Sequence, residues 1–246
     1  MVMLHGFTGS SASWGEGLVD GLTSAGVAPV LVDLPGHGRH VGETDPAGFT
    51  LDAACLSISA AGGPDPVPLL GYSMGGRLAL AYAVRHPERV SRLLLESASP
   101  GLEEEASRTA RRASDEELAL RLEAWGMEAF VEHWESLSIF SSQRVLPAPV
   151  RETLRARRQR NDPRSLATAL RGLGTGALPS YWASLDALNV PTLLIVGELD
   201  SKFHEIAVRM AERLPRARMS VVAGAGHAVH LERPDAWLDA VLGFVL

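Results

Sequence analysis

Three side chains, far apart in the sequence, have the types and settings for one shared piece of chemistry. Ser73 sits in Gly71-Tyr72-Ser73-Met74-Gly75, after an apolar run from Val67 to Leu70 and before an alanine- and leucine-rich run, Leu78 to Val84. Strand, sharp turn, helix is the order this implies. Gly71 and Gly75 lack a β-carbon, so the backbone can turn tightly and lift Ser73 out at the tip. The turn also puts Ser73 at a helix N-terminus, where free N–H groups and the dipole favour developing negative charge. A serine hydroxyl is a weak nucleophile and a weak base until a neighbour takes its proton. His227, in Gly224-Ala225-Gly226-His227, is the candidate for that task, because imidazole accepts a proton near neutral pH. Asp200, in Gly197-Glu198-Leu199-Asp200, is the candidate to fix the ring's tautomer and steady the imidazolium.

Rivals stand beside each. His230 lies further from a strand end than His227, and alternation through Leu199 turns Glu198 the other way. The plainer readings are a capping serine at position 73, a helix-capping aspartate at 200, and a surface-loop histidine at 227. An oxyanion would need two N–H donors. The residue after the serine, Met74, supplies one in this geometry, and the Phe7 backbone in His5-Gly6-Phe7 is the natural source of the second. His37-x-x-His40 and His227-x-x-His230 have spacings open to a metal, but no acidic cluster accompanies them, so no metal is expected.

These residues need a scaffold that brings them to one edge. Val2 to Leu4, Val27 to Leu34, Val67 to Gly71, Val90 to Glu96, Val190 to Gly197 and Met219 to Ala223 read as six strands. Helical stretches follow most of them: Trp14 to Ala25, residues 51–61, the run after Ser73, residues near 204–214 and 234–245. Alternating strands and helices predict an α/β fold, a mostly parallel sheet of about six strands with helices on both faces. Ligands in such sheets bind beyond the carboxyl ends of the strands. His5, Asp33, Ser73, Asp200 and His227 each follow a strand. Residues 101–182 break the alternation; they are helical and charged, with Trp125, Phe130, Trp134 and Phe140 interspersed. They read as a cap inserted after the fourth strand, leaving 1–100 and 183–246 as the core.

A chain of 246 residues suits one domain with an insertion. The net charge of −6 supplies no basic field for nucleic acid. Cys55 is the only cysteine, which excludes an internal disulfide and a thiolate metal cluster. No stretch approaches a membrane-spanning helix, and no signal peptide is evident, so the expectation is a cytoplasmic protein. Of its 23 lysines and arginines only Lys202 is a lysine. Codon bias is the dull account of that, so each arginine is judged singly.

The motifs His5-Gly6-Phe7, Asp33 to Gly38, Gly71 to Gly76, Gly197 to Asp200 and Gly224 to His227 together resemble the α/β-hydrolase superfamily over nearly the whole chain. A narrower resemblance rests on GYSMGGR, on Arg108-x-x-Arg111-x-x-Ser114-Asp115, on GELDSKF and on a terminal GH-x-x-H-x-E-x-P. These are similar to the menaquinone-pathway family of 2-succinyl-6-hydroxy-2,4-cyclohexadiene-1-carboxylate synthase. That resemblance implies a lyase on a hydrolase scaffold. It would eliminate pyruvate from 2-succinyl-5-enolpyruvyl-6-hydroxy-3-cyclohexene-1-carboxylate, with the triad serine as base and no cofactor. It implies that Arg77, Arg111 and Arg158 grip carboxylates of a small polycarboxylate substrate, with Tyr72 and Trp134 also facing it. The implied enzyme is a monomer or small homo-oligomer without nucleic-acid or membrane partners.

Arg77 has independent support. A cation in the first turn of a helix opposes the dipole, at a cost of roughly 0.3–1 kcal/mol, and broken local rules often mark functional sites. The competing account is that Arg77 pairs with a carboxylate of the protein itself. Residues 144–171 hold eight arginines against Glu152 and Asp162. Most are expected to be solvated, and Arg158 sits among Arg155, Arg157 and Arg160 with its register open. Trp134 stands where the family has an aromatic residue, usually tyrosine; it lacks the phenol, so core packing is the equal alternative. Relatives carry two strands before the His5 strand, so either the start is misassigned or the sheet is shorter; the triad survives either case, with a less protected edge. A serine hydrolase of an ester or of a carbon–carbon bond would use the same triad without needing Arg77 and Arg111 at the pocket. A non-catalytic binding protein is disfavoured because all three triad positions are filled.

Overall fold

The computed structural model describes residues 1–246. Each apolar run becomes a strand: β1 (Val2–Leu4), β2 (Val30–Val32), β3 (Val67–Tyr72), β4 (Val90–Glu96), β5 (Thr192–Gly197) and β6 (Ala217–Val222). They form one sheet in the order β2-β1-β3-β4-β5-β6, and every neighbouring pair is parallel. The chain leaves β1 toward β2 on one side and returns to β3 on the other. The order therefore reverses between β1 and β3, which opens a crevice at their carboxyl ends. The residues that follow these two strands are the His5-Gly6-Phe7 loop and Ser73, and the register pairs Leu4 with Gly71.

Side chains alternate across the sheet because successive residues of a strand point to opposite faces. Val2, Leu4, Leu69, Leu93, Leu95 and Leu194 pack on one face against α2 (Leu51–Gly62), α3 (Met74–Arg85) and α7 (Ser201–Ala211). Met3, Leu70, Leu94, Leu193 and Ile195 pack on the other against α1 (Gly15–Ser24) and α9 (Pro234–Val245), where Trp237 is fully buried. Each such leucine contributes about 1.5–3 kcal/mol by leaving water. Between Leu78 and Ala83 every residue of α3 is buried. The two edges are exposed: Val30 on β2 is 42% accessible and Val221 on β6 is 45% accessible. Β2 is shorter than the run from Val27 to Leu34 suggests, since Pro29 has no N–H to give a ladder and the strand has a partner on one side only.

The inserted segment is α4 (Glu105–Ser136), a 3-10 stretch from Ser138 to Val145, α5 (Ala148–Gln159) and α6 (Pro163–Leu173). α4 bends at Gly126, whose φ of 73° is outside the helical range. The insert has its own small core, in which Ala119, Leu122, Phe130, Val131, Leu166 and Leu170 meet. Its outer surface carries ion pairs such as Arg171 with Glu116 and Glu123, worth little individually. One boundary differs from the sequence reading. Leu178 and Trp182 fall within 101–182 yet pack into the main core, because a turn over residues 175–177 ends the insert and Trp182 Nε1 donates to Gly101 O at 3.0 Å.

Candidate active site

Ser73 follows the last residue of β3 and precedes α3, with φ 52° and ψ −107°. A non-glycine residue in this left-handed region is strained, and the surroundings hold it there. Its N–H donates to Glu96 O at 2.9 Å. The turn is closed by glycines at van der Waals limits: a β-carbon on Gly75 would lie 2.3 Å from Leu4 O, and one on Gly71 would lie 2.3 Å from Gly75 O. The hydroxyl is thereby aimed at His227, with Ser73 Oγ 3.0 Å from Nε2. His227 Nδ1 lies 2.6 Å from Asp200 Oδ2. Asp200 and His227 are buried, at 8% and 2% accessibility. Asp200 carries both readings of its position at once: Oδ1 accepts from Phe203 N at 3.3 Å and so caps α7, while Oδ2 faces the imidazole.

The rivals are occupied elsewhere. Glu198 accepts from Gly224 N at 2.9 Å. His230 Nδ1 lies 2.7 Å from Glu96 Oε1, and Trp237 Nε1 donates to Glu96 Oε2 at 2.8 Å. That buried carboxylate ties the end of β4 to α9 and to α8 (Val229–Glu232), which lies just beyond the His227 loop. The histidines spaced for a metal are also committed to protein partners: His37 to the Pro35 and Thr8 backbone, and His40 to Glu43.

The oxyanion loop is held from behind. His5 Nδ1 donates to Gly6 O at 2.8 Å, and Gly9 N donates to the same oxygen at 3.0 Å. A carbonyl and the N–H of the same peptide point in opposite directions, so fixing Gly6 O fixes the Phe7 N–H. Neither Phe7 N nor Met74 N has an acceptor within the protein, and both residues line the cavity that contains Ser73 and His227. His5 Nε2 accepts from Leu34 N at 3.0 Å, and His37 Nε2 from Thr8 N at 3.3 Å. Accepting nitrogens carry no proton, so both rings are neutral. Burial, the largest cause, lowers the His5 pKa to about 4 and that of His37 to about 3.

Acid sensitivity follows from these depressed values. Below about pH 6.5 the unfolded chain takes up protons that the folded chain excludes. The stabilisation is complete above that pH and is lost as pH falls toward 4 and then 3. Each histidine contributes at most about 1.4 kcal/mol per pH unit across this window. Urea denaturation from pH 7 to pH 4.5 should give a falling unfolding free energy, with a slope shallower by about one proton in His37→Asn. An unchanged slope in that variant would remove His37 from the account.

The cavity beside Ser73 has a volume of about 190 Å³. Arg77, Arg111, Trp134, Tyr72 and Arg158 all line it. Arg77 is mostly buried, and its Nε is shut off from water with no hydrogen-bond partner. The nearby carboxylate, Asp115, is taken by Arg111, whose Nε is 2.7 Å from Oδ1. The account in which Arg77 pairs with a protein carboxylate is therefore corrected. Desolvation first, then repulsion from Arg111, lowers its pKa to about 10, with Asp115 acting in the opposite direction. The guanidinium stays charged at neutral pH and open to an anion.

Arg158 is placed differently from Arg77. Its two terminal nitrogens reach Glu135 Oε1 at 2.9 Å and Gln143 Oε1 at 3.0 Å, and its guanidinium lies over Phe140. It braces the cap wall as well as touching the cavity. Trp134 packs against Phe7, Phe130 and Phe140; packing is the role its contacts show, and its buried Nε1 has no partner. The Tyr72 ring lies 5.4 Å from that of His227, and burial raises its phenol pKa well above the usual value, which keeps the O–H as a donor.

Two further cations open onto the cavity, Arg157 and Lys202. The available sequence signal for Arg157 is Leu154, three residues earlier on the same face of α5 and also at the cavity. Lys202 occupies the first turn of α7, where the dipole disfavours a cation, as it does at Arg77. Arg77, Arg111 and Lys202 are shared with a neighbouring cleft of about 570 Å³.

A family model described as the alpha/beta hydrolase family matches residues 1–240. A Bacillus subtilis (strain 168) protein named as a candidate 2-succinyl-6-hydroxy-2,4-cyclohexadiene-1-carboxylate synthase is 40% identical over 251 residues, covering 100% of this chain and 89% of that one. The synthase of the same name from Salmonella heidelberg (strain SL476) is 33% identical, covering 98% of this chain and 91% of its own. Among solved structures, MenH from S. aureus superposes with a TM-score of 0.90 at 35% identity, covering 99% of this chain and 92% of that chain. A thermophilic esterase from Thermogutta terrifontis superposes with a TM-score of 0.78 at 24% identity, covering 99% and 88%, and shares the fold.

Proposed function

This chain belongs to the alpha/beta hydrolase family, and from that premise we propose that it is a lyase, a 2-succinyl-6-hydroxy-2,4-cyclohexadiene-1-carboxylate synthase of menaquinone biosynthesis. The observation that carries the reading is Arg77. A hydrolase of neutral esters has no use for a largely buried, unpaired guanidinium four residues after its serine, whereas a polycarboxylate substrate supplies its missing partner. The 40% identity to a relative bearing the synthase name supports the same reading.

In this mechanism Ser73 Oγ takes the proton from the ring carbon beside the succinyl ketone as its own proton passes to His227 Nε2. Asp200 steadies the imidazolium that forms. The ketone oxygen gains charge, and the Phe7 and Met74 N–H groups stabilise it. The electron pair then moves through the ring, the ring carbon–oxygen bond to the enolpyruvyl group breaks, and the enolate of pyruvate leaves. It recovers a proton at its methylene carbon as His227 returns to neutrality, giving pyruvate. Arg77, Arg111 and Arg157 hold carboxylates through this sequence, and Arg158 holds the wall on which they depend. A cytoplasmic enzyme, alone or as a small homo-oligomer, belongs to this reading.

A coupled assay for pyruvate with the enolpyruvyl substrate tests it. Pyruvate released at one equivalent per substrate, with little turnover of p-nitrophenyl acetate, is the expected result. Rapid ester cleavage with an acyl-enzyme burst and no pyruvate would overturn the lyase in favour of a serine hydrolase.

A further inference from the structure

The cap reaches the oxyanion loop through one buried amide. Asn161 lies in the turn between α5 and α6 and is 8% accessible. Its Nδ2 donates to Thr8 O and to Arg158 O, each at 3.0 Å. Both neighbours are carbonyl oxygens, so the NH2 end must face them. The contact with Thr8 joins segments 153 positions apart.

Thr8 is a demanding residue to hold. Its φ of 66° puts a β-branched side chain in the left-handed region, a conformation that costs of order 1–3 kcal/mol unless its surroundings enforce it. Its N–H is fixed by His37 and its carbonyl by Asn161. The preceding residue is Phe7, whose N–H is the second oxyanion donor and whose ring packs on Trp134 of the cap at 5.4 Å. The core thus supports the donor peptide through His5 and the Gly9 N–H. On the far side of the same loop the Thr8 carbonyl is held only by a cap residue.

We propose that Asn161 is a positioning residue that links the seating of the cap to the aim of the Phe7 N–H. With the cap down, Thr8 is locked and the donor is in place. With the Asn161 bond broken, the Thr8–Gly9 peptide is free to turn, Gly9 N loses its hold on Gly6 O, and the Gly6–Phe7 peptide that carries the donor swings off line. The arginines of the cap and the oxyanion donor then reach working geometry together. The inference rests on the assignment of the Phe7 N–H to the oxyanion, and holds for either the lyase or a hydrolase.

Two variants test it. Asn161→Ala removes the donor; Asn161→Asp keeps the shape and sets a carboxylate against two carbonyls. The kinetics are read on whichever reaction the wild type performs, pyruvate release or ester cleavage, so loss of the lyase reading shows in the wild type and loss of this inference shows in the variants. Expected is a kcat lowered about 10- to 100-fold, as when an oxyanion donor is misplaced, with KM within about twofold. Asn161→Asp should fall at least as far. Amide exchange at Thr8 and Gly9 should accelerate about tenfold or more in both. Arg171→Ala, which loosens the outer cap without touching the loop, should leave kcat within about twofold. A raised KM at constant kcat would mean that Asn161 merely seats the cap. Unchanged loop exchange, or an equal kcat loss in Arg171→Ala, would also overturn the proposal.

Discussion

Arg77→Met should lower kcat/KM for pyruvate release by about 10²- to 10³-fold or more, while the folded protein becomes more stable. The two effects have one cause. The guanidinium is held against α3 with Nε buried and unpartnered, repelled by Arg111 and short of a carboxylate because Arg111 has taken Asp115. Leaving a charged partner buried without its mate costs about 3–5 kcal/mol, which is the expected loss when the substrate carboxylate meets methionine instead. Without substrate the same arithmetic runs backward. A methionine fills a similar volume without a buried charge, and a gain of about 1 kcal/mol or more in unfolding free energy follows. Arg77→Lys should recover part of the activity, since a point charge replaces a two-pronged fork. Urea denaturation and pyruvate kinetics on the same preparations check both signs. Loss of stability together with loss of activity would show that Arg77 is a structural residue. An equal loss against a neutral ester would remove its carboxylate-gripping role.

Ser73→Ala should reduce kcat by about 10²- to 10⁴-fold, the contribution of a positioned general base, with little change in KM. The size of the residue left behind discriminates mechanisms. If Ser73 formed a covalent intermediate, its removal would abolish the route, and losses near 10⁶-fold, as in serine proteases, would be expected. If it only relays a proton to His227, water in the vacated space or His227 itself can partly substitute, because Nε2 lies only 3.0 Å from the hydroxyl. Single-turnover mass spectrometry on the wild type checks the same point. A mass increase on the Ser73 peptide would contradict the base role.

The triad is legible in the sequence because its chemistry constrains the backbone as well as the side chains. Glycines 71 and 75 are required by contacts of 2.3 Å that any β-carbon would make, and such requirements leave a readable pattern. In the sequence Asp200 is ambiguous between cap and triad acid because it is both, one oxygen for each. The cap arginines are less readable. α5 offers only Val150 and Leu154 as large apolar side chains among its charged residues, too few to fix which face turns inward. Hence Arg158, whose fork is engaged by Glu135 and Gln143, cannot be told from Arg157 by spacing. Asn161 leaves no local signal, since its partner is 153 positions away. The apolar runs overshoot the strands at Pro29 and Pro191, where apolar content continues but proline has no N–H to donate to the ladder.

The insertion enters after β4 and the chain resumes at β5, and those two strands are hydrogen-bonded neighbours. Exchanging one helical insert for another therefore leaves the sheet's pairing and the serine–imidazole–carboxylate geometry intact. The cap's share of the cavity wall, Arg111 and Arg157 included, is encoded in a single uninterrupted stretch of gene, from Glu105 to Leu173. A recombination event there retargets an ancestor with its serine, imidazole and carboxylate inherited whole, provided the new insert again supplies a donor to Thr8 O. Arg77, embedded in the helix behind the serine, and Lys202 on α7 lie outside that stretch, so a retargeted descendant would carry ancestral cations until further mutations removed them.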